Sequence, residues 1–260
     1  MSDHTAKIQE LESWEAQSMR LTLFPVVPVD ASKMNWWEQV VGLPPDRSAS
    51  LRKVGGYEEA GTVKQHALSL RVLQTRIDWN FDPVSKVDLS GDDIPTIGAF
   101  PDAMQDFMAL MHKWFGTPSF PAASRMAFGA VLLKHMNDKT TGYQELARLL
   151  LPSVQVDPVN SSDFTYSINR PRMSLAGIEG LRINRLSKWS VMVWGWMQHS
   201  IAGTATERRK TGPEHYSCHL ELDISTGQDF LGDIPASKIP MVWEELVSMG
   251  TEIAEQGDIP

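Results

Sequence analysis

The chain has 260 residues, 42% hydrophobic and 22% charged, with 18 Gly and 16 Pro. That composition suits a globular protein and excludes collagen-like, coiled-coil and wholly disordered chains. A single cysteine, Cys218, rules out an intramolecular disulfide and a multi-cysteine zinc or iron–sulfur site, and the formal net charge of −8 argues against general nucleic-acid binding.

In chain order, Thr5 to Gln17 reads as an opening helix, with Ile8 and Leu11 one turn apart. Met19 to Val27 alternates as a strand, which Pro25 pushes toward an edge or a bend. Trp36, Trp37, Val40 and Val41 share a short helix, capped from Asp30 or Ser32 and ended by Gly42-Leu-Pro-Pro. Leu51 to Val63 predicts one or two strands around a Gly55-Gly56 turn, and His66 to Trp79 a single long strand. Phe100 to Phe115 is a helix with Met104, Phe107, Met108 and Met111 on one stripe.

The same order then returns. Arg125 to His135 reads as a strand and Thr141 to Leu151 as a helix; Asp163 to Arg170, Leu181 to Met197 and His215 to Ile224 read as strands, and Ala236 to Glu255 as a final helix. Gly91-Asp-Asp-Ile-Pro95 precedes the last helix of the first half and Gly232-Asp-Ile-Pro235 that of the second. Beyond these, Pro101, Met104, Phe107 and Met108 match Pro240, Trp243, Leu246 and Val247 at one offset, while Val26-Val27 and Trp37 match Leu132-Leu133 and Tyr143 at another. The expected fold is α+β: two tandem strand-helix-strands-helix halves, with antiparallel sheet and helices packed on one face. It divides into an N-terminal helix (1–18), a first α+β half (19–118) and a second (119–260), with Gly116–Pro121 as the linker.

No apolar run is long enough to cross a bilayer, and Met1-Ser-Asp-His-Thr-Ala-Lys lacks the basic-then-apolar start of a secretory signal. A cytoplasmic protein is the expectation, without membrane attachment. Charge is uneven, however: Arg170–Lys210 carries +6 and Glu221–Pro260 carries −8.

Site chemistry is sparse. His215-Tyr-Ser-Cys-His219 puts two His on one strand face and Cys218 on the other, so the three do not converge on a metal. Glu221, Asp223 and Asp78 with Lys188 would compose a nuclease-type acid cluster, a combination that any acidic sheet offers. Phosphate-binding glycine loops and nucleophile elbows are missing from the sequence. No cofactor or metal is therefore expected, and whether the chain is an enzyme stays open, with the weight against it.

Two features point instead to binding. Arg170 and Arg172 flank a proline at a strand end and Arg185 follows, so their planar guanidinium forks could be offered to carboxylate or phosphate as an anion-binding lip; internal pairing with the acidic C-terminal helix is the alternative. Further along, Trp189, Val191 and Val193 alternate with Met192, Trp194 and Trp196, an apolar strand on both sides that needs cover on both. Arg182, Met192, Trp194 and Trp196 are of the residue types enriched at interfaces and are the expected partner-binding set; the alternative is that the chain covers this face itself.

Arg125-Met-Ala-Phe-Gly-Ala-Val-Leu-Leu, Ser162 to Arg172, Leu181 to Trp189 and Leu73-Gln-Thr-Arg-Ile-Asp-Trp79 resemble segments of a sporadically distributed bacterial protein family of uncharacterised function, over about Met19 to Glu255. The resemblance brings no activity or catalytic set; it implies a bacterial source, and patchy distribution hints at defence-associated loci. The expected function is a noncatalytic protein-binding or regulatory component of such a complex. The alternative is an enzyme or sensor that holds an anionic, nucleotide-like ligand through the arginine cluster.

Overall fold

The computed structural model describes residues 10–30, 34–84, 94–195 and 214–260, and the backbone alone of 197–202 and 205–210. Strand β1 (Glu15–Pro25) starts inside the stretch expected as helix, which is helical only over 10–12 among the described residues. The chain turns at Ser13, so that Trp14 and Ala16 enter the core and the indole Nε1 of Trp14 donates to the Ala254 carbonyl at 2.9 Å. Helix α1 (Trp36–Val41) ends at Gly42, whose φ of 83° is the left-handed cap that glycine adopts without strain.

Strand β2 (Arg47–Leu51), a 3₁₀ turn and β3 (Gly56–Val63) lead into a further departure from the expected elements. The single strand expected over His66–Trp79 is a hairpin, β4 (His66–Leu73) and β5 (Arg76–Pro83), reversing at Gln74-Thr75. Its buried residues switch from even positions (Leu68, Leu70, Val72) to odd (Ile77, Trp79, Phe81), the parity change that a two-residue turn requires.

After β6 (Gly98–Ala99) comes α2 (Phe100–Phe115), with Pro101 in its first turn and Phe107, Met111 and Trp114 fully buried. The second half follows: β7 (Ala123–Met136), α3 (Lys139–Leu149), β8 (Thr165–Asn169), β9 (Arg172–Met173), β10 (Arg182–Trp194), the hairpin β11 (Met197–Ala202) and β12 (Ala205–Lys210), β13 (His215–Thr226) and α4 (Ile239–Gln256). The β11–β12 hairpin interrupts what was expected as one strand through Met197. Asp138 caps α3, accepting from the Thr141 N–H while the Thr141 hydroxyl receives the Asp138 N–H.

All strands but β11 and β12 join one antiparallel sheet in the order β2-β3-β4-β5-β1-β7-β13-β10-β8, with β6 added beside β1 and β9 beside β10. The first strand of the expected first half, β1, pairs with β5 and with the short β6, and that of the expected second half, β7, pairs with β13. The two first strands then pair with each other at the centre, Met19 opposite Ala130 and Leu21 opposite Phe128.

Strand alternation sends one set of side chains to the helices and the other to the opposite face. On the helix side lie Leu21 and Leu23, Trp79 and Phe81, Phe128 and Leu132, Leu220 and Leu222, all buried under α1–α4. Seven of the nine tryptophans (Trp14, Trp36, Trp37, Trp79, Trp114, Trp189 and Trp243) are buried in this core. Phe81 stacks on Phe107, which meets Trp243 edge-on at 6.0 Å; Trp243 in turn meets Phe128 at 5.6 Å. Such ring pairs add about 0.5–1.5 kcal/mol each beyond the area they bury. This chain of rings ties α2 of the first half to α4 of the second.

Candidate functional site

Strand β10 carries most of the residues singled out from sequence, and its alternation separates them. Ile183, Arg185, Ser187, Trp189 and Val191 face the helices; the methyls of Val191 lie against Gly142 of α3. Arg182, Asn184, Leu186, Lys188, Ser190, Met192 and Trp194 face the other way, toward the side without helices. Arg182 and Trp194 therefore lie at the two ends of one strand on one face, about 40 Å apart at the usual rise per residue. Met192 and Trp194 are half-buried, and Trp194 leans on His215 with ring centroids 6.2 Å apart. It is the one tryptophan among the described residues outside the buried core. Trp196 lies outside the described residues.

The three other arginines converge on the helix side, against the C-terminal segment. Arg170 binds Asp258 with two hydrogen bonds, Nε to Oδ1 at 2.6 Å and Nη2 to Oδ2 at 2.8 Å, and Tyr166 donates its hydroxyl to the same carboxylate at 2.9 Å. Arg172 donates to Glu252 and to the Pro260 carbonyl, both at 2.8 Å. Arg185, 1% exposed, reaches Glu252 through Nη2 at 3.1 Å. Burial first, then the neighbouring charge of Arg172, holds the Arg185 guanidinium below its ordinary pKa. Burial opposes the charge of Asp258, yet the bonds from Arg170 and Tyr166 outweigh it and leave that carboxyl below its usual range. Of the forks expected from sequence to form an anion lip, Arg170 and Arg172 are thus engaged by acceptors of the same chain, while Arg185 uses only its Nη2, its buried Nε and Nη1 having no hydrogen-bond partner.

A second constellation lies on the face of the sheet away from the helices, where the register builds two rungs. One runs Asn80, Arg20, Gly129, Asp223, Leu186 across β5, β1, β7, β13 and β10. Its neighbour runs Ser18, Val131, Glu221, Lys188, Ser167 from β1 to β8. With Asp82 of β5 they line a hollow of about 350 Å³. Lys188 pairs with Glu221 at 3.2 Å. Arg20 lies over Gly129, where a β-carbon would stand 3.4 Å from its Nη2, and its buried Nε has no hydrogen-bond partner.

Of the carboxylates read from sequence beside Lys188, the fold brings Glu221 and Asp223 to this hollow. Asp78 instead sits one rung along, accepting from the Thr22 hydroxyl at 2.6 Å and from Arg76 Nε at 2.8 Å. Asp82 takes the place read for Asp78, and burial raises its pKa. His219 lies on the same face with its ring Nδ1 3.4 Å from the Ser190 hydroxyl; burial lowers its pKa, against the opposing charge of Glu221 and with a smaller contribution from Lys188. Among the described residues no three His, Cys, Asp or Glu side chains gather as metal ligands. Sequence reasoning passed over Arg20, Asn80, Asp82 and Gly129. The polar alternation of Ser18, Arg20 and Thr22 and of Asp78, Asn80 and Asp82 was visible, but not that β1 and β5 are neighbours.

Comparison of the chain with protein-family models gives no match, and no curated protein matches it in sequence. No described helix is long and apolar enough to cross a membrane.

Proposed function

We propose that the protein is a noncatalytic binding module, a regulatory component of a larger complex, that docks a partner protein on the sheet face opposite its helices. The observation that carries this reading is the side chains of β10 on that face: Arg182 exposed at one end, Leu186 37% exposed at the middle, Met192 and Trp194 half-buried at the other. Trp and Arg are the anchors that most often dominate protein interfaces. A partner suited to this face carries an acidic group for Arg182 and an apolar patch for Met192 and Trp194, with Trp196 close behind Trp194 in sequence. The family resemblance supports a bacterial setting, and the patchy distribution of that family points to defence-associated loci.

The test places a photoreactive residue at Leu186 or Ser190, and separately at Gln105 or Met241 on the helix side, both exposed. Adducts with a partner protein are expected from the first pair only. They should disappear in Arg182→Glu and Trp194→Ser chains that still melt cooperatively. Adducts confined to the helix side, or unaffected by either substitution, would overturn the reading.

The two halves are further read as an internal duplication. Three relationships support it: the meeting of the two first strands at the sheet centre, the matching pairing of each with the last long strand of its half, and the proline in the first turn of both α2 and α4. The alternative role, an anionic ligand held by Arg170, Arg172 and Arg185, would require that ligand to displace Asp258 and Glu252.

A further inference from the structure

The hollow over β1 and β7, which borders the docking face at Leu186, has three properties that the docking of a partner along β10 does not explain. First, Gly129 leaves out a side chain at the centre of the sheet, and the guanidinium of Arg20 lies across it, its Nη2 3.4 Å from where a β-carbon would stand. Second, that guanidinium is held but not satisfied: Nε is shielded from solvent without an acceptor, and among the described residues Arg20 makes no ion pair. An unmade bond of a shielded donor is costly, more so for a charged group, and a ligand that supplies the acceptor recovers that cost. Third, the charges are unevenly cancelled. Lys188 and Glu221 neutralise each other, which leaves Arg20 against two carboxylates, Asp82 and Asp223, that form no ion pair among the described residues.

A simple anion entering here meets Arg20 but also two carboxylates, and a simple cation meets the carboxylates but also Arg20. A molecule that carries both charges close together satisfies all of them. Asp223 stands directly opposite Gly129, and so beside the place where the guanidinium lies. Val131 and Leu186 add apolar wall, while Ser18, Asn80 and Ser167 add neutral hydrogen-bonding groups. The volume, about 350 Å³, falls at the small end of the range for ligand clefts, about 300–1,000 Å³.

We propose that this hollow is a binding site for a small zwitterion, a free α-amino acid or a dipeptide, whose carboxylate is received by Arg20 and whose ammonium is received by Asp223, with Asp82 closing the opposite side. The site is independent of the docking reading, since it needs the purified chain alone.

The test is thermal-shift and calorimetric titration of the full chain with glycylglycine, L-leucine, L-glutamate and L-lysine, against acetate and methylamine at matched ionic strength. At least one zwitterion is expected to raise the melting temperature by about 2 °C or more at ten times its dissociation constant. Acetate and methylamine, which present one charge each, should give less than a tenth of its affinity. Arg20→Met and Asp223→Asn should each weaken binding at least tenfold, and Arg20→Lys, which keeps the charge but loses the fork, should do so as well. Should Arg20→Met not fold, Asp223→Asn and Asp82→Asn carry the test alone. No response to any of the four zwitterions overturns the proposal, as does acetate binding as tightly as they do or binding that survives Asp223→Asn. None of these outcomes touches crosslinking of a partner at Leu186 or Ser190, so the two readings fail separately.

Discussion

Arg170 and Asp258 are 88 residues apart in sequence and joined by two parallel hydrogen bonds, 2.6 and 2.8 Å long, that anchor the C-terminal tail beneath the edge of the sheet. The carboxylate is 2% exposed and the guanidinium 25%, so removing one partner strands a shielded charge. Arg170→Ala is expected to cost about 3 kcal/mol, and Asp258→Asn somewhat less because the amide keeps one acceptor. Because the folded carboxyl titrates below its unfolded value, this stability is present above the unfolded pKa and is lost as pH falls through the folded one. Urea melts at pH 7 and in the acid range check both: the deficit of Arg170→Ala should shrink as the wild-type carboxylate protonates.

Gly257 delivers Asp258 to that fork. Its φ of 80° with ψ of −157° belongs to glycine, and a β-carbon there would overlap the Leu149 carbonyl, which accepts the Asp258 N–H at 2.8 Å. Gly257→Ala should therefore destabilise by about 3 kcal/mol or more. In an Asp258→Asn background its further cost should be smaller than alone, since both act on one tail; strict additivity in a double-mutant cycle would contradict this coupling.

Lys134 emerges among acids on the helix side of β7, with Glu10 at 2.8 Å and Glu145 at 2.6 Å, and Arg148 completes the group. The bond from Arg148 first, against burial, and then Lys134 hold the Glu145 carboxyl at about 2. Its contribution is complete above the unfolded value near 4.5 and fades as pH drops toward 2. Lys134→Met is expected to lose about 2 kcal/mol at neutral pH, and the difference from wild type should narrow below about pH 4. A difference independent of pH would assign the effect to packing instead.

Cys218 is fully buried, donates weakly to the Gly142 carbonyl at 3.2 Å, and burial pushes its thiol up to about 12. The thiolate is the reactive form, so the native protein should resist an aromatic disulfide reagent at about pH 8. Full reaction, one thiol per chain, is expected only in denaturant. Fast native modification would show that α3 lifts from β13.

Much of the scaffold was legible from local pattern. Helices α1, α2 and α4 and strands β7, β8 and β13 follow from apolar spacing and punctuation by glycine and proline, because those signals act within a few residues. The β4–β5 turn escapes such a reading, although the parity of the apolar positions switches between Val72 and Ile77; without a Gly or Asn at Gln74-Thr75 the turn carries no compositional mark. The faces of β10 were readable for the same reason as the helices: alternation assigns Arg185 and Trp189 to one side and Met192 and Trp194 to the other before any partner strand is known.

What the chain determined alone was therefore which residues share a face of one strand or helix, since backbone geometry repeats on its own period. Which strands lie side by side depends on loop closure and on the burial of a common apolar layer, neither of which is written at any single position. Only the tertiary structure brought β1 against β5 and β7, set Arg20 over Gly129 beside Asp223, and turned Arg170, Arg172 and Arg185 inward onto Glu252 and Asp258.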